Sequence, residues 1–392
     1  MNVNQIYGIV NDTAADVLGK YAPRVKDTAS FVSLGKQLSD MKLLDPFYGA
    51  LASRITKTVV FVRSYERASR RVISDIQSFG AFVQKVYTDA PVSASSNPVW
   101  SLSNGSNPPT ITPASPYDIS TTVNVTTLLY GEKGTWAVEI VKPTKQIKGS
   151  FLDEASMAAF IDGINLTVEN SYEIYAEGLE NLAVATAIAN AIENGCATDV
   201  LQVYNNSGVG VSLTASVALA SPDFLATLAE SVKNKLPYLK KPSTKHNPAG
   251  YMTFTPEDAM ITEVLTPVMT AIDVKLKATS YHDDLVSLPG FSEIPYWQSP
   301  GTSDAFEDCS TIDIKHVDIK NNGATPPVAV EIKKKYILAV VRDEEACKAY
   351  FGDRDTWELP NPRQKSIVHG EDCETGYAVD SHANIWVFYM GE

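Results

Sequence analysis

The stretch Leu182-Ala183-Val184-Ala185-Thr186-Ala187-Ile188-Ala189 decides how the rest of the chain must pack. It ends a longer pattern in which apolar side chains recur at steps of three or four, at Ile164, Val168, Tyr172, Tyr175, Leu179, Leu182 and Thr186. This spacing predicts a helix of about thirty residues, roughly 45 Å long, with one buried stripe. Because its second half carries small side chains, other backbone can approach it closely, so we expect a structural spine.

Signals at both ends bound this helical region. Ser150, with Asp153 three residues later, resembles a capping box that opens a first helix running through Phe160. A second, longer helix then continues to Gly195, a residue suited to a helix C-terminus.

Downstream of the spine the pattern predicts helices around a central sheet. Ser221, followed by proline, is a helix start, and Pro237 is expected to stop that helix. Residues 251–254 are predicted as a short strand, and residues 310–334 as a hairpin with one wet face. Uninterrupted apolar residues at 336–341 indicate a strand buried on both faces. The chain then ends on the predicted strand Ile385–Tyr389.

Upstream, short helices are expected at 2–18 and 27–38, interrupted by glycines and lying on an extended arm without a core of its own. Strand signals follow at 58–62, 79–86, 128–130 and 136–141. Between them, residues 91–127 hold fourteen Ser/Thr, six Pro and a single charge, Asp118, which predicts an exposed insertion.

Length and charge limit the functions open to the chain. Its 392 residues suffice for two or three domains. With 33 basic and 46 acidic residues, the net charge of −13 disfavours a nucleic-acid reader. No apolar run approaches the ~18 residues of a membrane helix, so we expect a soluble protein without membrane contact. The four cysteines are far apart, which predicts free thiols in a reducing compartment.

The net charge hides an asymmetry along the chain. Residues 1–90 hold 12 basic and 8 acidic residues, a sum of +4, which leaves −17 for residues 91–392. Much of the positive charge lies in the basic segment, residues 63–71, which contains Arg63, Arg67, Arg70 and Arg71. Such a run is either a solvated loop or a docking surface for the acidic body of another copy.

Motifs for chemistry are sparse. The best enzyme-like group is His369, Glu371, Asp372 and Cys373, with Asp380 and His382 nearby, which are ligand types for a divalent metal. Its spacing matches no metal motif, so we interpret it as a polar loop before the last strand. We therefore predict no catalytic, cofactor-binding or metal residues, and no cofactor.

The order of these elements resembles the major capsid proteins of tailed bacteriophages, which share the Hong Kong 97 fold. Locally it is most similar to those of the short-tailed phages related to phi 29. The residues that carry the resemblance are Leu51–Ile55, Val59–Arg63, Val86–Asp89, Ala159-Phe160, Ile337–Val341, Tyr350 and Asn361–Arg363.

The resemblance implies an α+β fold with four parts. Residues 1–57 would form the N-terminal arm and 58–150 the extended E-loop, with the 91–127 insertion. Residues 151–196 and 346–392 would form the peripheral (P) domain around the spine helix. Residues 197–345 would form the inserted axial (A) domain, with an added hairpin at 310–334.

The function implied is a non-enzymatic shell subunit of the virion that assembles in the host cytoplasm. It would form pentamers and hexamers of an icosahedral or prolate phage head that encloses double-stranded DNA without sequence-specific binding, with scaffolding, portal or decoration proteins as further partners. Two alternatives stay open at this point. One is an encapsulin-like compartment of the same fold, and the other is a metal-dependent hydrolase using the His369–His382 region.

Overall fold

The computed structural model describes most of the chain, with several gaps between residues 44 and 154. The residues it describes are 3–19, 22–44, 46–47, 50–51, 72–76, 83–88, 125–130, 134–143, 154–276, 291–299, 303–317 and 329–391. The predicted strand at 58–62, residues 91–124 of the predicted insertion and the residues of the capping box at 150–153 lie outside them. The last three residues predicted for the insertion, 125–127, belong to a strand.

The described residues contain both helices and strands, in groups of one to six along the chain. The helices are α1 (Val3–Leu18), α2 (Thr28–Asp40), the spine helix α3 (Glu154–Glu193), α4 (Val200–Ser207), α5 (Ala215–Ala218), α6 (Pro222–Leu239), α7 (Thr266–Ala271) and α8 (Phe306–Cys309). The strands are β1 (Ile73–Ile76), β2 (Val83–Thr88), β3 (Val125–Tyr130), β4 (Gly134–Pro143), β5 (Ala197–Asp199), β6 (Met260–Leu265), β7 (Phe291–Ile294), β8 (Ile312–Val317), β9 (Ala329–Lys334), β10 (Ile337–Asp343), β11 (Cys347–Asn361), β12 (Ser366–Val379) and β13 (Ile385–Tyr389).

The two N-terminal helices form a small hydrophobic cluster of their own. Phe31, Leu34 and Leu38 of α2 are fully buried against α1, and Ile367 of β12 completes the cluster. Both helices run through their glycines without a break. The expectation of an arm without a core was therefore wrong for this part of the chain.

The spine helix is one continuous element of 40 residues, about 60 Å long. The prediction of two helices was wrong because α3 passes through Gly163. Packing of Ile164 against the N-terminal cluster and burial of Val168 offset the ~1 kcal/mol that a helical glycine costs. The predicted stripe is interrupted at Tyr175, which is exposed. Gly195 ends the helix region with a φ of +75°, as predicted.

A five-stranded sheet packs against the second half of the spine. Its strand order is β5-β13-β10-β6-β7, with β10 in the centre. Every residue of β10 is buried, which confirms the strand predicted from the unalternated apolar run. Within this sheet Arg342 and Glu263 form a fully buried ion pair, with Nε to Oε2 at 3.1 Å.

Helix α6 covers this sheet and starts as predicted. The Ser221 hydroxyl accepts a hydrogen bond from the Phe224 amide at 3.4 Å, with proline in the first turn. Pro237 does not stop the helix, which continues to Leu239, because a proline this near the end removes only one helical hydrogen bond. Residues 251–254 contain a single bridge, Ser243 to Thr253, instead of the predicted strand.

A four-stranded sheet with order β1-β11-β12-β4 lies against the first half of the spine. Strands β11 and β12 form a long antiparallel hairpin, in which residues 369–373 belong to β12. The interpretation of those residues as a polar loop was therefore wrong. Two separate ribbons complete the described strands, β2–β3 and the predicted hairpin β8–β9.

The helices of the described ranges include none that is both apolar and long enough to cross a bilayer. All four cysteines are free and buried, in agreement with the sequence prediction.

Candidate assembly surfaces

The basic segment lies outside the described residues. Arg63, Arg67, Arg70 and Arg71, the predicted contact residues, all fall between 52 and 71, where no placement is described. The described residues do, however, include one surface that suits such a segment, the outer face of the four-stranded sheet, and two further features outside that sheet.

The inner face of that sheet packs on the spine helix through aromatic and charged side chains. Trp136 stacks on Tyr172 with ring centroids 5.6 Å apart. Arg354 lies over the same Tyr172 ring at 4.0 Å and pairs with Glu371 and Glu169. Burial disfavours the charged guanidinium, but these carboxylates outweigh it and raise the pKa of Arg354. These side chains of the inner face therefore make their contacts within the subunit, with the spine helix and the neighbouring strand.

The residues of the possible hydrolase lie partly on this inner face. His369 is buried and its Nδ1 lies 3.2 Å from an oxygen of Glu358 on the neighbouring strand. Burial raises the pKa of the Cys373 thiol to about 11, which makes it a poor metal ligand and nucleophile. His382 lies beyond the end of β12, beside Asp380. Across the described ranges no three such side chains are grouped to hold a metal.

The outer face of the four-stranded sheet is open to solvent and carries an apolar row at one end. We define the outer face by the positions 135–141 of β4, 355–359 of β11 and 368–374 of β12 that alternate away from the spine. Val141, Val368 and Leu359 stand directly opposite one another across three strands. The side chains of Val141 and Leu359 are 53% and 60% exposed. Apolar side chains placed together on an open surface are typical of an interface.

All the charged side chains on the rest of the outer face are acidic. Asp355 and Asp372 form a cross-strand pair, with Glu139 and Glu374 on the same side. None of the outer-face positions is lysine or arginine. Like charges directly opposite in a sheet repel one another, so the isolated subunit is slightly destabilised by this arrangement. A cationic partner would remove that repulsion.

A second surface lies within residues 200–222, which contain no charged residue although 20% of the residues in the chain are charged. We call it the uncharged tip. Val209 and Val211 are 69% and 83% exposed in the loop after α4. Asn205 holds this loop in place, because its side chain accepts from the Leu213 amide at 2.9 Å and donates to the Leu213 carbonyl at 3.1 Å. The exposed valines are therefore presented by a hydrogen-bonded loop.

A third cluster joins the β2–β3 ribbon to the body of the subunit. Lys85 and Tyr87 of β2 both contact the buried carboxylate of Asp380. The Lys85 ammonium also pairs with Glu345 at 2.9 Å. We call this group, with His382 and Tyr251 around the Tyr87 ring, the Asp380 cluster. Sequence reasoning missed it, because residues almost 300 positions apart carry no shared local pattern.

The fold formed by these helices and strands is similar to that of a solved phage capsid protein. The fold is similar to the capsid of Staphylococcus phage Andhra, with a TM-score of 0.50 and 10% identity over 81% of this chain and 83% of that chain. The mature capsid of bacteriophage PhiM1 matches with a TM-score of 0.44 and 9% identity, over 85% and 90% of the two chains. The likeness to the Andhra capsid shows the predicted α+β capsid fold.

Residues 10–389 match the model of the Phi29-like phage major capsid protein family, so the chain belongs to that family. No curated protein sequence matches it. The chain is therefore a structural subunit of a phage capsid, and its place is in the virion. The family match confirms the resemblance to the phages related to phi 29. It favours the phage capsid over the encapsulin-like compartment and the hydrolase.

Proposed function

We propose that the subunit assembles head to tail, with its basic segment lying on the outer face of the next subunit. Arg63, Arg67, Arg70 and Arg71 would then meet the carboxylates of Asp355, Asp372, Glu139 and Glu374 of a neighbouring copy. Such a heterologous contact closes into rings when the rotation between copies permits, which yields five- and six-membered capsomers.

The observation that carries this proposal is the match in order between the two surfaces. The chain runs from an apolar stretch at 58–62 directly into the basic segment. The outer face runs from the apolar row of Val141, Val368 and Leu359 into its carboxylates. One alignment of the two copies therefore allows apolar contacts and ion pairs to form together. Complementary charge also speeds the encounter of the two copies and fixes their relative orientation.

The uncharged tip fits a place where several copies converge. Around a rotation axis each residue meets its own equivalents, so a charged residue there would face like charges from every copy. A surface with exposed valines and no charge avoids that repulsion and offers apolar area for burial. We propose that the tip, within residues 197–345, is the axial part of the capsomer, and that residues 1–57, 58–150, and 151–196 with 346–392 form the arm, E-loop and P-domain.

The role proposed is structural, without a catalytic step or a bound cofactor. The subunits assemble in the host cytoplasm and enclose double-stranded DNA without reading its sequence. The excess of negative charge outside residues 1–90 supports this, because an acidic wall repels phosphate and keeps packaged DNA mobile. Scaffolding, portal and decoration proteins are the further partners we propose.

The test is charge reversal of the basic segment. Changing Arg63, Arg67, Arg70 and Arg71 to glutamate should abolish shells in electron micrographs of the overexpressed full chain, while circular dichroism and thermal unfolding of the monomer stay unchanged. Lys241→Glu with Lys245→Glu, on exposed residues of another loop, is the control and should leave shells intact. Normal shells from the arginine variant would overturn the proposed contact.

A further inference from the structure

The β2–β3 ribbon depends on side-chain contacts for its orientation. Among the described strands it is a two-stranded ribbon that pairs with neither of the larger sheets, and isolated two-stranded hairpins are only marginally stable in water. Lys85 and Tyr87 alternate with Val86 along β2, so they share one face of the strand while Val86 is exposed. The face with Lys85 and Tyr87 is the one that meets the body.

The body presents a rigid acceptor to that face. The Asp380 amide donates to the Ala346 carbonyl at 2.9 Å, and one carboxylate oxygen of Asp380 accepts from the His382 amide at 2.9 Å. The other carboxylate oxygen accepts hydrogen bonds from the Lys85 ammonium and the Tyr87 hydroxyl. Backbone bonds therefore fix Asp380 independently of the ribbon.

Aromatic packing makes the contact directional as well as ionic. The Tyr87 ring stacks on His382 with centroids 4.6 Å apart, and Tyr251 meets both rings edge-on at 5.7 Å and 5.1 Å. The Tyr87 hydroxyl reaches Asp380 only while its ring occupies this slot. A displaced ribbon would leave a nearly buried carboxylate without its cation, which is a costly state in a protein interior.

We propose that the Asp380 cluster is a latch that sets the direction in which the β2–β3 ribbon leaves the body of its own subunit. The latch closes within one chain, so each copy presents its loop already aimed before it meets a neighbour. Pre-orientation of this kind reduces the ordering cost of association. The consequence for shells rests on the proposed function, but the latch itself is a property of the single chain.

The first test asks whether the contact forms within one copy. A water-soluble carbodiimide joins a paired carboxylate and amine as an amide, with the activated oxygen leaving as urea. An equal mixture of unlabelled and isotope-labelled full-length chain, cross-linked and read by mass spectrometry, should give Lys85–Glu345 peptide pairs of a single isotope. The exposed pair Lys240–Glu257, at 2.6 Å, is the internal control for reaction within one chain.

Two results would overturn the latch within one chain. One is Lys85–Glu345 pairs of mixed isotope beside single-isotope Lys240–Glu257 pairs, which would show the contact forming between copies. The other is absence of the Lys85–Glu345 product while the control pair reacts.

The second test loosens the latch. Asp380→Asn removes the charge but keeps the shape, and hydrogen exchange of the β2 amides in the unassembled chain should become roughly tenfold faster, because hydrogen bonds to a charged group are lost. Tyr87→Phe keeps the stacking and should give a smaller increase, and it carries the test if Asp380→Asn does not fold. Glu257→Gln is the control with unchanged exchange in β2.

Exchange in β2 that stays at the wild-type rate in Tyr87→Phe, and in Asp380→Asn where that variant folds, would contradict the proposal. Because this readout needs no assembly, it is independent of the contact proposed for the basic segment. In shells, Asp380→Asn should shift a uniform population toward mixed sizes and open forms.

Discussion

The two sheets of this subunit differ in what covers them. The five-stranded sheet is closed, with β10 buried along its whole length and even its ion pair, Arg342 with Glu263, hidden from solvent. The four-stranded sheet is closed on the spine side only, and its outer face combines an exposed apolar row with repelling carboxylates. One sheet is covered on both faces within the single chain, whereas the other leaves one face open, and we propose that a second copy covers it.

Because of this difference, variants of the two sheets should affect monomer stability and shell assembly separately. A change in the closed sheet acts on folding first and reaches assembly only through loss of the subunit. A change on the outer face should act on the proposed contact between copies and leave folding nearly untouched. The two kinds of variant should therefore be distinguishable by measuring the monomer and the shell side by side.

The largest effect is expected from breaking the buried ion pair. Arg342→Met removes the guanidinium that pairs with the buried Glu263 carboxylate and should lower the free energy of unfolding by about 3–5 kcal/mol. Urea unfolding of the monomer measures this. The double variant Arg342→Met with Glu263→Leu removes both charges and should recover most of the loss. A single variant as stable as the parent would show that the pair is not essential to the closed sheet.

A smaller effect is expected from Lys142 on the inner face of the four-stranded sheet. Burial lowers the pKa of its amine from 10.5 to about 8. The unfolded chain therefore binds this proton more readily than the folded chain between about pH 8 and pH 10.5, so stability should rise with pH in that window. The slope from this group is at most about 1.4 kcal/mol per pH unit.

Lys142→Met should remove that contribution and stabilise the monomer at pH 7. Urea unfolding of parent and variant at several pH values, compared as a difference, isolates Lys142 from other lysines. Equal slopes in the two proteins would show that the amine is not desolvated as the fold requires.

Opposite signs for folding and assembly are expected at Asp355. Asp355→Asn removes the repulsion with Asp372 and should raise monomer stability by a few tenths of a kcal/mol. The same change removes a carboxylate proposed to meet the basic segment, so the yield of shells should fall. Asp258→Asn, an exposed acid outside the sheet, is the matched control. A variant with lower stability and unchanged shells would reverse both expectations.

The smallest effect on the monomer is expected at the apolar row. Leu359→Ser exchanges an exposed leucine and should change the free energy of unfolding by less than about 0.5 kcal/mol. Shell yield should nevertheless decline, since the row loses buried area in the contact. Sedimentation of assembled against free protein measures the partition. A large loss of monomer stability would place Leu359 in a core instead of an interface.

Sequence reasoning succeeded where local pattern and packing agree. The apolar run at 336–341 predicted a strand covered on both faces, and the pattern at 310–334 predicted a hairpin, of which strands β8 and β9 are described. Gly195 ended the spine region because only a left-handed residue fits there. The single spine helix was missed because the sequence pattern was divided into two helices after Phe160, whereas the packing of Ile164 and Val168 offsets the low helix propensity of Gly163.

The candidate surfaces were harder to foresee. The long β11–β12 hairpin was missed because glycines and charges obscure its alternation, although the inner-face residues Ile367, His369, Glu371 and Cys373 are all buried. At Gly370 the strand needs a glycine, since a Cβ would overlap the Trp357 indole. The outer face depends on the register of three strands, and the Asp380 cluster joins distant parts of the chain. Neither follows from local sequence. The charge split located the basic segment, whose role stays a prediction.

The most direct test of the central claim is charge exchange between the two proposed surfaces, read by counting shells in electron micrographs. The first variant changes the four arginines of the basic segment to glutamate, and the second changes Glu139, Asp355, Asp372 and Glu374 to lysine. Each alone should give folded monomers without shells, and the chain carrying both sets should form shells again. Shells from either single set, or none from the combined chain while its monomer is folded, would contradict the account.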